Sequence, residues 1–268
     1  MSELLIDEPL EGVRRITLNR PDRFNAFTFG MYSDFIAALE SLRHDTRIRV
    51  VILTGAGRGF CSGHDMSGEA GTARWIEAEL GAMQAKTALM SELARIPLLM
   101  RNLGQPIICA VNGAAAGIGL SLAVACDLCL ASTSAKFVNA IHNAATGAEL
   151  GLSWMLPRIV GTQRAAEILL TALPVSAAEA ERIGLVLRAV PEEQLMPETL
   201  RLAEAIMCNV PLGVAMTKRS LWINQGVGSL EAAAEIEQRA VLVAQATEDA
   251  VEKRKALLDK RRPRFRNR

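Results

Sequence analysis

The chain has 268 residues, half of them apolar, with 22% charged, 4% aromatic and a formal net charge of +1. So much apolar material excludes an intrinsically disordered chain and suits a sizeable α/β core, as one large domain or one domain with an appendage. A charge balance so near zero gives the molecule as a whole no electrostatic reason to bind nucleic acid.

The N-terminus lacks the apolar core of a secretory signal, which points to the cytoplasm. "RRITLNRP" alternates as a strand does and stops at Pro21. "TFGMYSDFIAALESLRHD" then carries apolar residues at helical spacing, with Thr28 placed to cap the helix. "RVVILTG" is a continuous β-branched run, the pattern of a strand covered on both faces. It leads into "GRGFCSGHDM", Gly57 to Met66, where three glycines crowd a strand end. So much bare backbone marks either a tight turn or a place where a ligand touches peptide N–H groups.

A helical pattern runs from Ala73 to about Asn102, interrupted at Pro97. The uncharged run from Ile107 to Cys126 has the length of a membrane span and a G-x-x-x-G at Gly113 and Gly117. It lacks aromatic flanks, however, and Asn112-Gly113 breaks it in the middle. A strand to Val111, a glycine turn and a helix from about Gly119 account for it better, followed by a strand ending "AVACDLCLAS". Beyond Ser176 come a helix, a stop at Gly184, a strand to Val190, and then helices alone. Strands alternating with helices, then helices only, read as an α/β core with a helical C-terminal region.

The five cysteines lie mostly inside apolar runs and read as free thiols, and Cys126-x-x-Cys129 lacks a second ligand pair for zinc. The tail from Lys253 carries nine basic residues against one Asp, which reads as a solvated segment or as an anion site. No phosphate loop, G-x-G-x-x-G fingerprint or G-x-S-x-G elbow occurs. What remains is a pair of exposed backbone turns, the second feeding a helix whose first N–H groups carry the positive end of its dipole. Two such donors on one oxygen form an oxyanion hole.

"ILTGAGRGFCSGHDM", then "QPIICAVNGAAAGIGLSLAVACDLCLAS", "LPRIVG" and "TEDAVEKRKALLDKRRPRF" together resemble the crotonase superfamily, the enoyl-CoA hydratase/isomerase family. The resemblance covers nearly the whole chain. It implies a ββα-spiral catalytic core over residues 1–195. It also implies a helical region over 196–268 that serves trimer contacts and part of the coenzyme A site. The assembly would be a homotrimer or a hexamer built as a dimer of trimers. The ligand would be an acyl-CoA thioester, with coenzyme A as part of the substrate, no separate cofactor and no metal.

On this resemblance the thioester oxygen lies between the backbone N–H groups of His64 and Ile118, within turns that include Gly63, Asp65 and Gly117. The two glutamates of family hydratases are absent, since their places hold Ser121 and Ile141. Glu149, eight residues beyond Ile141, occupies a place often acidic in members that move double bonds. It is the expected general acid/base, with Ile141 and Trp154 as apolar neighbours raising its pKa. A single carboxylate can take a proton from one carbon and return it to another, which favours isomerisation over hydration. Arg23 and Ala26 in "DRFNAF", and Lys260 in "LDKR", match stretches that contact the nucleotide. Met66, Trp75, Leu80, Met83 and Met90 fall in the segment that often walls the acyl pocket, or pack as plain core. The alternatives are thioester or carbon–carbon hydrolysis on the same fold, and a scaffold or RNA-binding relative without turnover.

Overall fold

The computed structural model describes residues 2–67, 81–140 and 147–268. Trp75, Leu80, Ile141 and the first part of the helix expected from Ala73 lie outside them. A repeated strand–strand–helix unit builds the fold. The first unit is β3 (Val50–Gly55), β4 (Gly59–Cys61) and α2 (Ala82–Asn102); the second is β5 (Ile107–Val111), β6 (Ala114–Ala116) and α3 (Ile118–Ala125). A third pair, β7 (Leu128–Ser132) and β8 (Lys136–Val138), repeats the two strands. The long strands pair in parallel as β3-β5-β7 and the short ones as β4-β6-β8, so each unit contributes one strand to each of two sheets. This is the spiral that the resemblance implies.

β1 (Leu4–Leu10) and β2 (Val13–Leu18) form an antiparallel hairpin on one edge of the large sheet, and β10 (Arg188–Val190) closes the other. β9 (Val175–Ser176) ends the small sheet. Side chains alternate along the central strands. Val50, Ile52, Ile108 and Ala110 pack with Leu195 and Ala203 of α7 (Glu192–Met207). Val51, Leu53, Cys109 and Val111 join the main core with α1 (Phe29–Leu42), α2 and α3. Burial on both faces is why these strands read as unbroken apolar runs. α7 crosses the expected boundary at residue 195.

Asn112 explains the "VNG" break. Its carbonyl oxygen accepts from Gly55 N–H (3.1 Å), and its amide donates to Gly57 O (2.8 Å) and Gly59 O (3.1 Å), tying two strand corners together. The run from Ile107 to Cys126 is strand, turn, strand and helix. No single helix among the described residues is long and apolar enough to cross a membrane. Cys61, Cys109, Cys126 and Cys129 are buried free thiols and Cys208 is an exposed one.

α4 (Leu152–Val160), α5 (Thr162–Thr171) and α6 (Ala177–Arg182) lead to β10. α8 (Pro211–Ile223), α9 (Leu230–Gln245) and α10 (Glu248–Leu258) end the fold. The basic tail folds back on α10. Asp249 accepts from the N–H groups of Arg266 and Arg268, and Glu252 from Arg264 N–H and the Arg261 guanidinium. The acids of its own helix thus hold the tail's backbone.

Candidate active site

β4 and β6 run parallel with Cys61 opposite Ala115, so the chain leaves both at the same edge. On one side of the departing strand, Phe27 N–H donates to Gly63 O (2.8 Å) and Asp65 N–H to Phe27 O (2.9 Å). Strand alternation then turns the His64 N–H to the opposite side. That side holds the second turn. A Cβ on Gly63 would stand 3.9 Å from Ile118 N, and one on Gly117 would stand 3.8 Å from Gly63 Cα. Ile118 is the first residue of α3, where an N–H has no intrahelical partner. Gly117 has φ 53° and ψ −116°, a conformation that only glycine adopts freely. Gly119 serves a different need, because a Cβ there would meet Cys61 O at 2.4 Å. The two turns therefore sit against each other.

The segment that carries Glu149 approaches the second turn through its backbone. Leu150 (φ 54°) and Gly151 (φ 71°) reverse the chain just before α4. The Ser121 hydroxyl lies within reach of both Gly117 O (3.4 Å) and Glu149 O (3.3 Å), linking the turn to the acid's backbone. The Glu149 side chain is half-buried, and that burial raises its pKa.

The surroundings are aromatic. The His64 ring lies 5.0 Å from Phe29 and stacks on Tyr32 at 5.9 Å. Burial lowers the His64 pKa against the charge of Asp65, so the imidazole is neutral at neutral pH. Burial pushes the Cys61 thiol up to about 12, which leaves no thiolate nucleophile there. Among the described residues no cluster of His, Cys, Asp and Glu suits a metal ion.

A sequence model of the enoyl-CoA hydratase/isomerase family matches residues 8–268. This chain belongs to that family. A probable enoyl-CoA hydratase of Mycobacterium tuberculosis is 45% identical over 87% of this chain and 81% of its own. The crystal structure of a probable enoyl-CoA hydratase/isomerase from Mycobacterium abscessus superposes over the whole of both chains, at TM-score 0.91 and 40% identity. A monofunctional enoyl CoA isomerase from M. smegmatis is 42% identical, at TM-score 0.74 over 87% of this chain and 99% of that one. The ββα spiral is thus the fold of this enoyl-CoA hydratase/isomerase family member.

The other residues expected from the family pattern fall in different places. Ser62 ties "DRFNAF" to the first turn, its N–H donating to Phe24 O (2.9 Å) and its hydroxyl to Arg23 O (3.2 Å). Arg23 is exposed and Ala26 buried beside that turn. Asp65 points inward: one oxygen accepts from Ser67 N–H and hydroxyl, and the other lies 2.8 Å from the Arg20 guanidinium. The Ser67 bonds foremost, with Arg20, hold its pKa well below the usual carboxylate range. Trp154 is exposed, with the guanidinium of Arg158 3.9 Å over its ring and that of Arg101 at 5.7 Å. Lys260 is exposed just beyond α10. Met66, Met83 and Met90 are exposed in this chain.

Sequence reasoning missed three members of this region. Asn25, buried at φ 57°, donates to Ala56 O and Gly59 O and so fixes the first corner. An Asn between Phe and Ala after a Pro turn is the signal for such a left-handed position. Arg20 pairs with Glu3 and Asp65. Tyr32 had no signal beyond being the chain's one tyrosine.

Proposed function

We propose that this family member isomerises the double bond of an enoyl-CoA thioester. The thioester oxygen sits between the N–H groups of His64 and Ile118, and Glu149 moves the proton. Glu149 takes a proton from C2 of a 3-enoyl group. The C–H pair then delocalises towards the thioester oxygen, where the paired amides and the N-terminus of α3 stabilise the charge. The same carboxyl returns the proton at C4, giving the 2-enoyl ester with no atom gained or lost. Arg23, Ala26 and a neighbouring subunit's Lys260 would hold the nucleotide of coenzyme A, in a homotrimer or a hexamer of two trimers.

One observation carries the reading. Glu149 is half-buried with a raised pKa, and its backbone carbonyl lies 3.3 Å from the Ser121 hydroxyl beside the amide turn, while the two places of the hydratase glutamates hold Ser121 and Ile141. Hydration is the second reading, favoured by the probable hydratases among the relatives. It would need a second acid.

Crotonyl-CoA and a 3-enoyl-CoA incubated in heavy water separate the two, since isomerisation places deuterium and hydration adds hydroxyl. Glu149→Gln is expected to lower isomerase turnover by roughly 10²–10⁴-fold. Unchanged turnover overturns the assignment. Release of free CoA would select hydrolysis, and salt-dependent RNA retention without any acyl-CoA turnover would select the non-catalytic relative.

A further inference from the structure

Arg101 lies in the last turn of α2, and all three of its guanidinium nitrogens are buried. None of them finds a hydrogen-bond partner among the described residues. An unpaired buried charge is unfavourable, and an aliphatic side chain would fill the space without that penalty. Burial lowers its pKa to about 10, which still leaves the side chain cationic at neutral pH. What faces it instead is aromatic. The guanidinium carbon stands 3.3 Å from the centre of the Trp222 ring and 5.7 Å from that of Trp154. A planar guanidinium stacks on such faces, and the attraction grows once water is excluded. The cation therefore joins two rings from two helices.

The rings differ in what holds them. Trp222, near the end of α8, donates from Nε1 to Asp127 (2.8 Å), whose other oxygen accepts from Ile107 N–H (2.7 Å). It is thus fixed to the spiral. Trp154 stands in the first turn of α4, a helix of nine residues with Pro157 inside it. So short a helix does not hold itself in place and depends on contacts outside it. Arg158 covers the Trp154 ring at 3.9 Å and donates to Trp154 O (2.8 Å), but it belongs to α4 itself. Of these two cations, Arg101 is the one that comes from another element.

The turn before α4 carries the acid. Leu152 N–H donates to Glu149 O (3.1 Å) and Trp154 N–H to Gly151 O (3.0 Å), with Leu150 between the two acceptors at φ 54°. A leucine in that left-handed region is strained and persists only where its surroundings over-determine it. We propose that Arg101 is a positioning residue for Glu149: its guanidinium, bridging the rings of Trp222 and Trp154, pins the first turn of α4 and with it the segment that carries the acid. This rests on the reading of Glu149 as acid/base. The role concerns where the carboxyl lies rather than how substrate binds, so it belongs to kcat and not to KM.

The test is a cycle of Arg101→Met, Trp154→Leu and the double variant in the full chain. For each, kcat and KM for a 3-enoyl-CoA are measured well below the melting temperature, which is recorded too. Each single variant is expected to lower kcat by roughly 10- to 100-fold at constant KM, the effect of displacing a catalytic group by about 1 Å. The double variant is expected to lose no more than the worse single one, because both changes break one contact. Losses that multiply overturn the proposal, and so does an unchanged kcat with only a lower melting temperature. A raised KM at constant kcat also overturns it, by placing the rings on the substrate instead. Trp154 is exposed, so Trp154→Leu carries the test where Arg101→Met fails to fold. Glu149→Gln runs alongside. Retained turnover there removes the acid/base assignment and this role with it. An inactive Glu149→Gln beside fully active Arg101→Met and Trp154→Leu removes the positioning role alone.

Discussion

At Glu149, burial pulls activity and stability in opposite directions. Its carboxyl is half-buried and the desolvation raises its pKa. A proton-abstracting base must be ionised, so kcat/KM should rise as pH climbs through that raised value. The acidic limb is expected above the ~4.3 of an ordinary glutamate. A limb at or below the ordinary value, measured with a non-sticky substrate, would contradict the assignment. The stability sign is the reverse. A raised carboxyl pKa gives a contribution present below the unfolded-state value and lost as pH rises through the folded one. Glu149→Gln should therefore melt no lower than the parent at neutral pH, even as turnover collapses. Ser121 and Glu149 were singled out only through the family resemblance, Ser121 counted from "VNG" and Glu149 eight residues beyond Ile141. Tyr32 was not, because an apolar period cannot tell a packed phenol from one with an unpaired hydroxyl.

Among the elements, α8 is latched to the spiral by a buried ion pair. The Lys218 ammonium donates to Met100 O and Gln105 O, both at 2.9 Å, and lies 2.8 Å from Asp127 Oδ2. Asp127 also accepts from Ile107 N–H (2.7 Å) and from Trp222 Nε1 (2.8 Å). One carboxylate thus joins the start of β5 to two side chains of α8. Burial lowers the Lys218 pKa, and Asp127 opposes that shift. Removing one member leaves the other charge buried, so Lys218→Met is expected to destabilise by about 3–5 kcal/mol. Urea denaturation measures it, and a loss below about 1 kcal/mol would show that the pair is dispensable. The latch was invisible in "GVAMTKRSLW", where a lysine amid apolar residues reads as a solvated one. The long strands and capped helices were legible because period and caps are local; Thr28 does accept from Met31 N–H. The short strands β6, β8 and β9 have two or three residues each, too few to show a period. β1 escaped for another reason: as an edge strand it exposes Leu5 and Ile6.

For the whole molecule, the C-terminal helices carry more apolar surface than one chain can cover. "SLEAAAEIEQRAVLVAQA" has the spacing of a helix with a buried face, yet α9 buries no residue in the single chain. Leu242 is 69% exposed there, and Leu258 at the end of α10 is 83% exposed. Leu221 of α8 and Val241 line a groove of about 490 Å³ between α8 and α9. Exposed apolar surface gathered on one set of elements marks an interface, and a fully buried leucine contributes about 1.5–3 kcal/mol. Residues of this kind repeated in every copy would hold a homotrimer, and the same surface would bring a neighbour's Lys260 towards the coenzyme A site. Leu242→Glu combined with Leu258→Glu places charge on that face and should yield single chains in light scattering coupled to size exclusion. The dissociated protein keeps the His64–Ile118 turns and Glu149, all supplied by one chain. Its expected defect is therefore a raised KM for CoA esters with a smaller change in kcat. A double variant that keeps the parent's mass would show that the association face lies elsewhere. Single chains with an unchanged KM would uphold this face as the association surface but remove Lys260 from the nucleotide site.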